Sequence, residues 1–315
     1  MSVPMILKIL GGLILATLII LFLVYQIDIR DAKERILESQ VVDTPCGKID
    51  YALTGEGDIN ILTIHGAGGG FDQGLWGVRY LDARDFRFIS PSRFGYLRTP
   101  LPEDGTPAAQ ADSYVCLLDT LNVKKVALVT YSAGALSSAE FALRHPDRIS
   151  ALVLIIPDTW RPPSDEPSEL MQESYITKVV LRSDLIMWLF SKFGKSAMIT
   201  FFGVPKDVQA NLSTQDKESI DELMKNLLPV SQRYDGMTND GKNNLGKLRL
   251  DLENITVPTL IIDAEDVATF PGSRYTAEHI PGARLVSFKT GGHLLVGHSE
   301  EVRAEVTSFL EKYAK

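Results

Sequence analysis

An α/β architecture, with a mostly parallel sheet flanked by helices, is what this sequence predicts, and three observations carry the prediction. Short apolar runs of strand length recur along the chain and alternate with helical patterns. Most of these runs are continuously apolar rather than alternating, as suits strands covered on both faces. The rhythm breaks once, between Pro157 and Val257, where about 100 residues carry helical patterns and no strand. A long insertion at that place reads as a helical cap over the carboxyl edge of the sheet, where ligands bind.

Composition narrows the partners. The 315 residues are 45% hydrophobic and 23% charged, as in an ordinary globular chain. Basic and acidic residues number 32 and 40, and no Lys/Arg block occurs, so the clustered positive charge that nucleic-acid binding draws on is missing. Cys46 and Cys116 form no CxxC or Cys/His cluster and are expected to be two unpaired structural thiols. A bridge between them would call for an oxidising compartment.

In chain order, the first element is apolar. Ile9–Tyr25 contains no charged residue, and only Lys8 interrupts the preceding segment. A cleaved signal peptide has an apolar core of about 7–15 residues followed by a small-x-small site, and nothing of that form follows Tyr25. The expectation is a single-pass N-terminal membrane anchor that continues as a charged, helix-friendly stalk, QIDIRDAKERILES, the two together spanning residues 1–38. Lys8 on one side against Arg30, Lys33 and Arg35 on the other leans slightly toward a cytoplasmic domain and leaves the side open.

The core is expected over residues 39–157 and 257–315. Val41–Val42 and Ile49–Leu53 form a hairpin around TPCGK, and the strands Ile59–His65, Phe86–Ser90, Lys125–Tyr131, Ser150–Pro157, Val257–Asp263 and Ala283–Phe288 follow. Helical patterns cover Asp72–Leu81, Ala108–Leu121, Ala133–Arg144, Ser273–Ile280 and Glu300–Tyr313. The cap, residues 158–256, opens with the linker RPPSDEPSE. Its apolar group, Leu185–Phe190, Phe193, Met198–Ile199 and Phe201–Phe202, is expected mainly to pack the cap, with a few residues lining a pocket.

The chemistry concentrates at Val126–Ala135, VALVTYSAGA. A strand runs into Thr130-Tyr131-Ser132-Ala133-Gly134 and then into a helix-forming segment, a G-x-S-x-G turn with Thr130 in the first glycine position. A serine on such a strained turn projects its oxygen above the sheet, and the helix starting beside it favours negative charge. The strand Ile59–Ile64 ends in His65-Gly66-Ala67-Gly68-Gly69-Gly70, where glycines let main-chain N–H groups approach a substrate. Acyl transfer needs donors aimed at a developing oxyanion, and the N–H groups of Ala67 and Ala133 are the pair this order offers. His65 reads as a structural hydrogen-bonding residue.

With these motifs in view, the chain resembles an α/β-hydrolase-fold serine hydrolase carrying an added N-terminal anchor. HGAGGG, SRFGYLRTP, FALRHPDRISALVLIIP and TAEHIPGARLVSFKTGGH carry the resemblance, which covers residues 40 to 315 apart from the cap. It implies the order nucleophile, acid, histidine, each at the carboxyl end of a strand. His293 follows the last strand in a glycine-rich loop and is the expected base, with His298, His145 and His279 in structural positions. The acid should follow Val257–Ile262, where Asp263, Glu265 and Asp266 crowd together. Asp266 is the choice, although Val267 stands where related sequences place the last aspartate.

The implied reaction is cleavage of an ester or similar acyl bond in a small-molecule substrate, small or apolar, through an acyl-enzyme, with no metal or organic cofactor. Serine at the turn speaks against haloalkane or epoxide chemistry, which uses aspartate there. Two other readings stay open: hydrolysis of a carbon–carbon bond, and a non-catalytic ligand-binding protein on the same scaffold. Oligomeric state is not legible.

Overall fold

A computed structural model describes residues 3–160, 175–245 and 249–314. The helix α1 (Val3–Leu37) is followed by the hairpin β1 (Gln40–Thr44) and β2 (Gly47–Thr54), then β3 (Ile59–Ile64), α2 (Phe71–Gly77), β4 (Phe86–Pro91), α3 (Pro107–Thr120), β5 (Val126–Tyr131), α4 (Ala135–Arg144) and β6 (Ile149–Ile155). Among the described residues, six helices follow in the insertion: α5 (Tyr175–Arg182), α6 (Asp184–Phe193), α7 (Lys195–Phe201), α8 (Lys206–Ala210), α9 (Thr214–Lys225) and α10 (Tyr234–Leu245). The chain then returns through β7 (Thr259–Ala264), α11 (Phe270–His279), β8 (Arg284–Phe288) and α12 (Ser299–Tyr313). The linker RPPSDEPSE lies outside the described residues.

The eight strands form one sheet in the order β1-β2-β4-β3-β5-β6-β7-β8. The β2 strand runs antiparallel to both its neighbours, and every pair from β4 through β8 is parallel. The continuous apolar strands are explained by cover on both faces. Leu62, Leu128 and Leu152 join one core with Tyr114, Leu117 and Phe141 of α3 and α4. Their chain neighbours Ile61, Ala127, Val129 and Val153 join another with Val302, Val306 and Phe309 of α12. All these strand residues are essentially buried, so alternation has nothing polar to display.

One expectation is revised. Cys46, in the hairpin turn, and Cys116, in α3, are joined in a disulfide with Cα atoms 6.0 Å apart, not held as free thiols. The turn folds over α3 across 70 residues of sequence, a contact that no local pattern reveals. The charged stalk continues α1 without a break and buries one face. Ile29, Ala32 and Ile36 recur at helical spacing, are buried, and the first two pack with Met187, Trp188 and Ile220 of the insertion. Burying the Ile29 side chain there stabilises the contact with the cap by about 2 kcal/mol.

Candidate active site

Strand β5 delivers Ser132 to the carboxyl edge of the sheet. Its φ of +52° is sterically costly for a residue with a Cβ, and the surroundings force it. A 3₁₀ turn, Ser132–Gly134, leads directly into α4. A Cβ on Gly134 would lie 2.6 Å from the His65 carbonyl oxygen, so only glycine lets the turn sit this close to the end of β3. Thr130 replaces the first glycine because its hydroxyl has a buried partner, the Ser138 hydroxyl on α4, which also donates to the Gly134 carbonyl at 3.0 Å.

Opposite, His293 rides a loop after β8 whose Gly291 and Gly292 take positive φ. Its Nε2 lies 3.0 Å from Ser132 Oγ, a distance over which the hydroxyl donates to a neutral imidazole. Three remote groups hold the loop. The His293 N–H donates to the Phe202 carbonyl at 2.8 Å, the Tyr131 hydroxyl donates to the His293 carbonyl at 2.7 Å, and the Phe202 ring stacks on the imidazole. Burial pushes His293 down to about 4, opposed by the negative charge of Asp158. Burial raises Tyr131 well above the usual phenol range, which keeps it a donor.

The three sequence-predicted carboxylates separate. Glu265 turns outward to Ser287 and Lys289, 3.1 and 2.6 Å away, and these bonds lower its pKa. Asp263 is buried against Ser273 and the Ala264 N–H, and burial pushes it up to about 7. Asp266 reaches the histidine loop, where its carboxylate accepts from the N–H groups of Gly291 and Gly292 at 3.2 and 3.1 Å. Its bonds are to the backbone beneath the imidazole.

Asp158 was not singled out in sequence. It follows β6, the strand between β5 and β7, and its N–H faces the Ser132 carbonyl at 3.4 Å. The available signal was a carboxylate three residues beyond the end of a parallel strand beside the nucleophile strand. Tyr131 was likewise passed over, as the variable residue of the turn.

The glycine-rich loop after β3 is braced from below. The neutral His65 ring accepts the Arg93 N–H on Nε2 at 2.9 Å and faces the Gly66 carbonyl through Nδ1 at 2.7 Å. Burial and the nearby Arg93 guanidinium hold its pKa well below the usual imidazole range, so it acts as a fixed strut. The N–H groups of Gly66, Gly68 and Gly69 are taken by Gln73, Tyr96 and Gly66 respectively. That of Ala67 has no acceptor among the described residues, and the Ala133 N–H lies in the first turn of a helix, where such groups have no intrahelical partner. The SRFGYLRTP segment ties this loop to the cap: Arg93 makes two 2.6 Å bonds to Asp240 of α10, and the Tyr96 hydroxyl donates to the same carboxylate at 2.6 Å.

Comparison with known proteins bears on the fold that carries these residues. A family model described as alpha/beta hydrolase fold matches residues 59–175. An alpha/beta hydrolase fold protein from Nakamurella multipartita superposes with a TM-score of 0.69 at 28% identity, over 86% of this chain and 98% of that one. A Bacillus subtilis protein named uncharacterized hydrolase YcgS is 26% identical over 79% of this chain and 89% of its own length. A 2-hydroxy-6-oxononadienedioate/2-hydroxy-6-oxononatrienedioate hydrolase from Paraburkholderia xenovorans is 26% identical over 84% and 90%. The chain has the α/β-hydrolase fold.

Proposed function

We propose that this α/β-hydrolase-fold protein is a membrane-anchored serine hydrolase that cleaves a carboxylic ester, or a similar acyl bond, of a small or apolar substrate. The observation that carries the reading is the 3.0 Å approach of Ser132 Oγ and His293 Nε2. Ser132 attacks the carbonyl carbon while His293 takes the hydroxyl proton, and the Ala67 and Ala133 N–H groups receive the oxyanion. The tetrahedral intermediate collapses, the alcohol leaves with the proton from His293, and an acyl-Ser132 ester remains. Water, deprotonated by His293, then releases the acid and restores the serine.

The acid's work is divided in this reading. Asp266 holds the loop that carries His293, and Asp158 supplies negative charge that stabilises the imidazolium during both steps. Hydrolysis of p-nitrophenyl esters from acetate to dodecanoate by the full chain in detergent tests the reaction, with turnover expected in wild type and lost in Ser132→Ala. A second reading, carbon–carbon bond hydrolysis, draws on the Paraburkholderia relative, and it prevails if a vinylogous 1,5-diketone acid is cleaved while every ester is left intact. Absence of turnover on both substrate types leaves the ligand-binding reading.

The anchor is α1, whose apolar window is wholly unburied. The Cys46–Cys116 bridge favours a catalytic domain on the oxidising side of the membrane, against the slight lean of the flanking Lys and Arg residues. Protease digestion of sealed vesicles tests this, and digestion of the domain only from the cytoplasmic face would reverse it.

A further inference from the structure

Beyond Lys8, the next charged residue in α1 is Asp28, twenty positions later. At about 1.5 Å per residue that interval is about 30 Å, the thickness of a bilayer's hydrocarbon core. Asp28 therefore marks the level at which the helix leaves lipid, and at that level it grips the cap. Its carboxylate accepts from Trp188 Nε1 at 2.7 Å and pairs with Lys192 at 2.9 Å, both on α6, while Tyr25 packs edge-on against Trp188 with ring centroids 5.6 Å apart. Farther along α1, Arg35 donates to the Lys225 carbonyl, so the helix and the cap meet over several turns.

The side of α6 that makes these contacts is its inner one. Leu185, Leu189, Phe190 and Phe193 flank that side and are exposed, Phe193 by 69% although its ring also meets Trp188 edge-on. Phe201 at the end of the adjoining α7 adds 63% exposure. Isolated surface apolar residues need no explanation, but a contiguous stripe of three phenylalanines and two leucines marks an interaction surface.

We propose that this α6–α7 stripe is a membrane-docking face, seated in the headgroup–acyl boundary beside the point where α1 emerges. The proposal rests on the reading of α1 as an anchor. The occupant is lipid because the contact with α1 fixes the height of α6 at the bilayer surface. Trp188 and Tyr25 between the two helices are residues suited to that boundary, and Lys192 at the edge of the stripe keeps its ammonium in the polar layer through Asp28. Docking would turn the cap, and with it Phe202 over His293, toward the lipid from which an apolar ester would come.

Full-length protein in phosphatidylcholine–phosphatidylglycerol nanodiscs tests this with nitroxide labels at Leu18→Cys, Phe193→Cys, Phe201→Cys and Arg303→Cys, read by collision with oxygen and with a water-soluble nickel chelate. The expected result is label 18 deep in hydrocarbon, labels 193 and 201 shielded from nickel at boundary depth, and label 303 fully aqueous. Labels 193 and 201 matching label 303 while 18 stays buried overturns the docking face and leaves the anchor intact. Label 18 matching label 303 removes the anchor itself. Strong label–label broadening at 193 would show a second copy covering the stripe and would also overturn the proposal. As a functional readout, Phe193→Glu/Phe201→Glu should lower turnover of a bilayer-embedded long-chain ester about tenfold, the equivalent of one lost apolar contact, and leave hydrolysis of p-nitrophenyl acetate unchanged. Equal loss on both substrates would contradict it.

Discussion

The turn that carries Ser132 and the loop that carries His293 meet at 3.0 Å, yet they are held by opposite means. The turn is fixed by its own neighbours: Gly134 against the end of β3, Thr130 against Ser138, and a helix that starts at once. The loop is fixed from afar, by Phe202 in the cap, Tyr131 at the end of β5 and Asp266 after β7. The Ser132 turn leans on one close tertiary contact and its own neighbours, whereas the His293 loop depends on several distant groups. Damage to the turn should therefore be concentrated in few residues, and damage to the loop spread over many.

The sharpest way to break that contrast is to remove its two reacting groups. Ser132→Ala and His293→Ala should each reduce kcat by about 10³-fold or more, with the double variant no worse than either, because the pair acts as a unit. Additive losses in steady-state kinetics would mean the two groups work independently. The next effect falls on the loop's electrostatics. Asp158→Asn should cost about 10²-fold in kcat, and more than Asp266→Asn, which loosens the loop without removing charge aimed at the ring.

The pH profile sharpens this further. His293 must be neutral to act, so kcat/KM should fall as pH drops through about 4, the value to which burial lowers the imidazole. Asp158 favours the protonated ring, so Asp158→Asn should move that limb to lower pH. A limb that moves upward, or stays in place, would sever Asp158 from the base.

Smaller effects separate stability from catalysis. Gly134→Ala forces a Cβ toward the His65 carbonyl and should cost about 1–3 kcal/mol in thermal or urea unfolding. Tyr131→Phe removes one bond of about 1 kcal/mol to the loop and should lower kcat about fivefold while the fold stays intact. The smallest effect belongs to Thr130→Gly, which restores the usual turn residue. It should cost about 1 kcal/mol of stability through the lost Ser138 contact and leave kcat within about twofold.

The same contrast explains what the sequence made legible. The strands, their order of appearance and the Ser132 turn were visible because each depends on a few consecutive residues. His293 was singled out because a glycine-rich segment directly follows the last strand. Asp158 was not, since its place beside Ser132 depends on β6 lying between β5 and β7, a fact of topology. Asp263, Glu265 and Asp266 stand together in sequence just before Val267, and that local crowding drew the choice of acid to the end of β7. The Cys46–Cys116 bridge and the grip of Asp28 on Trp188 join segments 70 and 160 residues apart, and no periodicity encodes such pairings.

The most direct measurement is reaction of the full-length protein with a fluorophosphonate probe, followed by peptide mass mapping. The account predicts a single modified residue, Ser132, with labelling abolished in Ser132→Ala and strongly slowed in His293→Ala. Labelling at another serine, or labelling in His293→Ala at the wild-type rate, would contradict it.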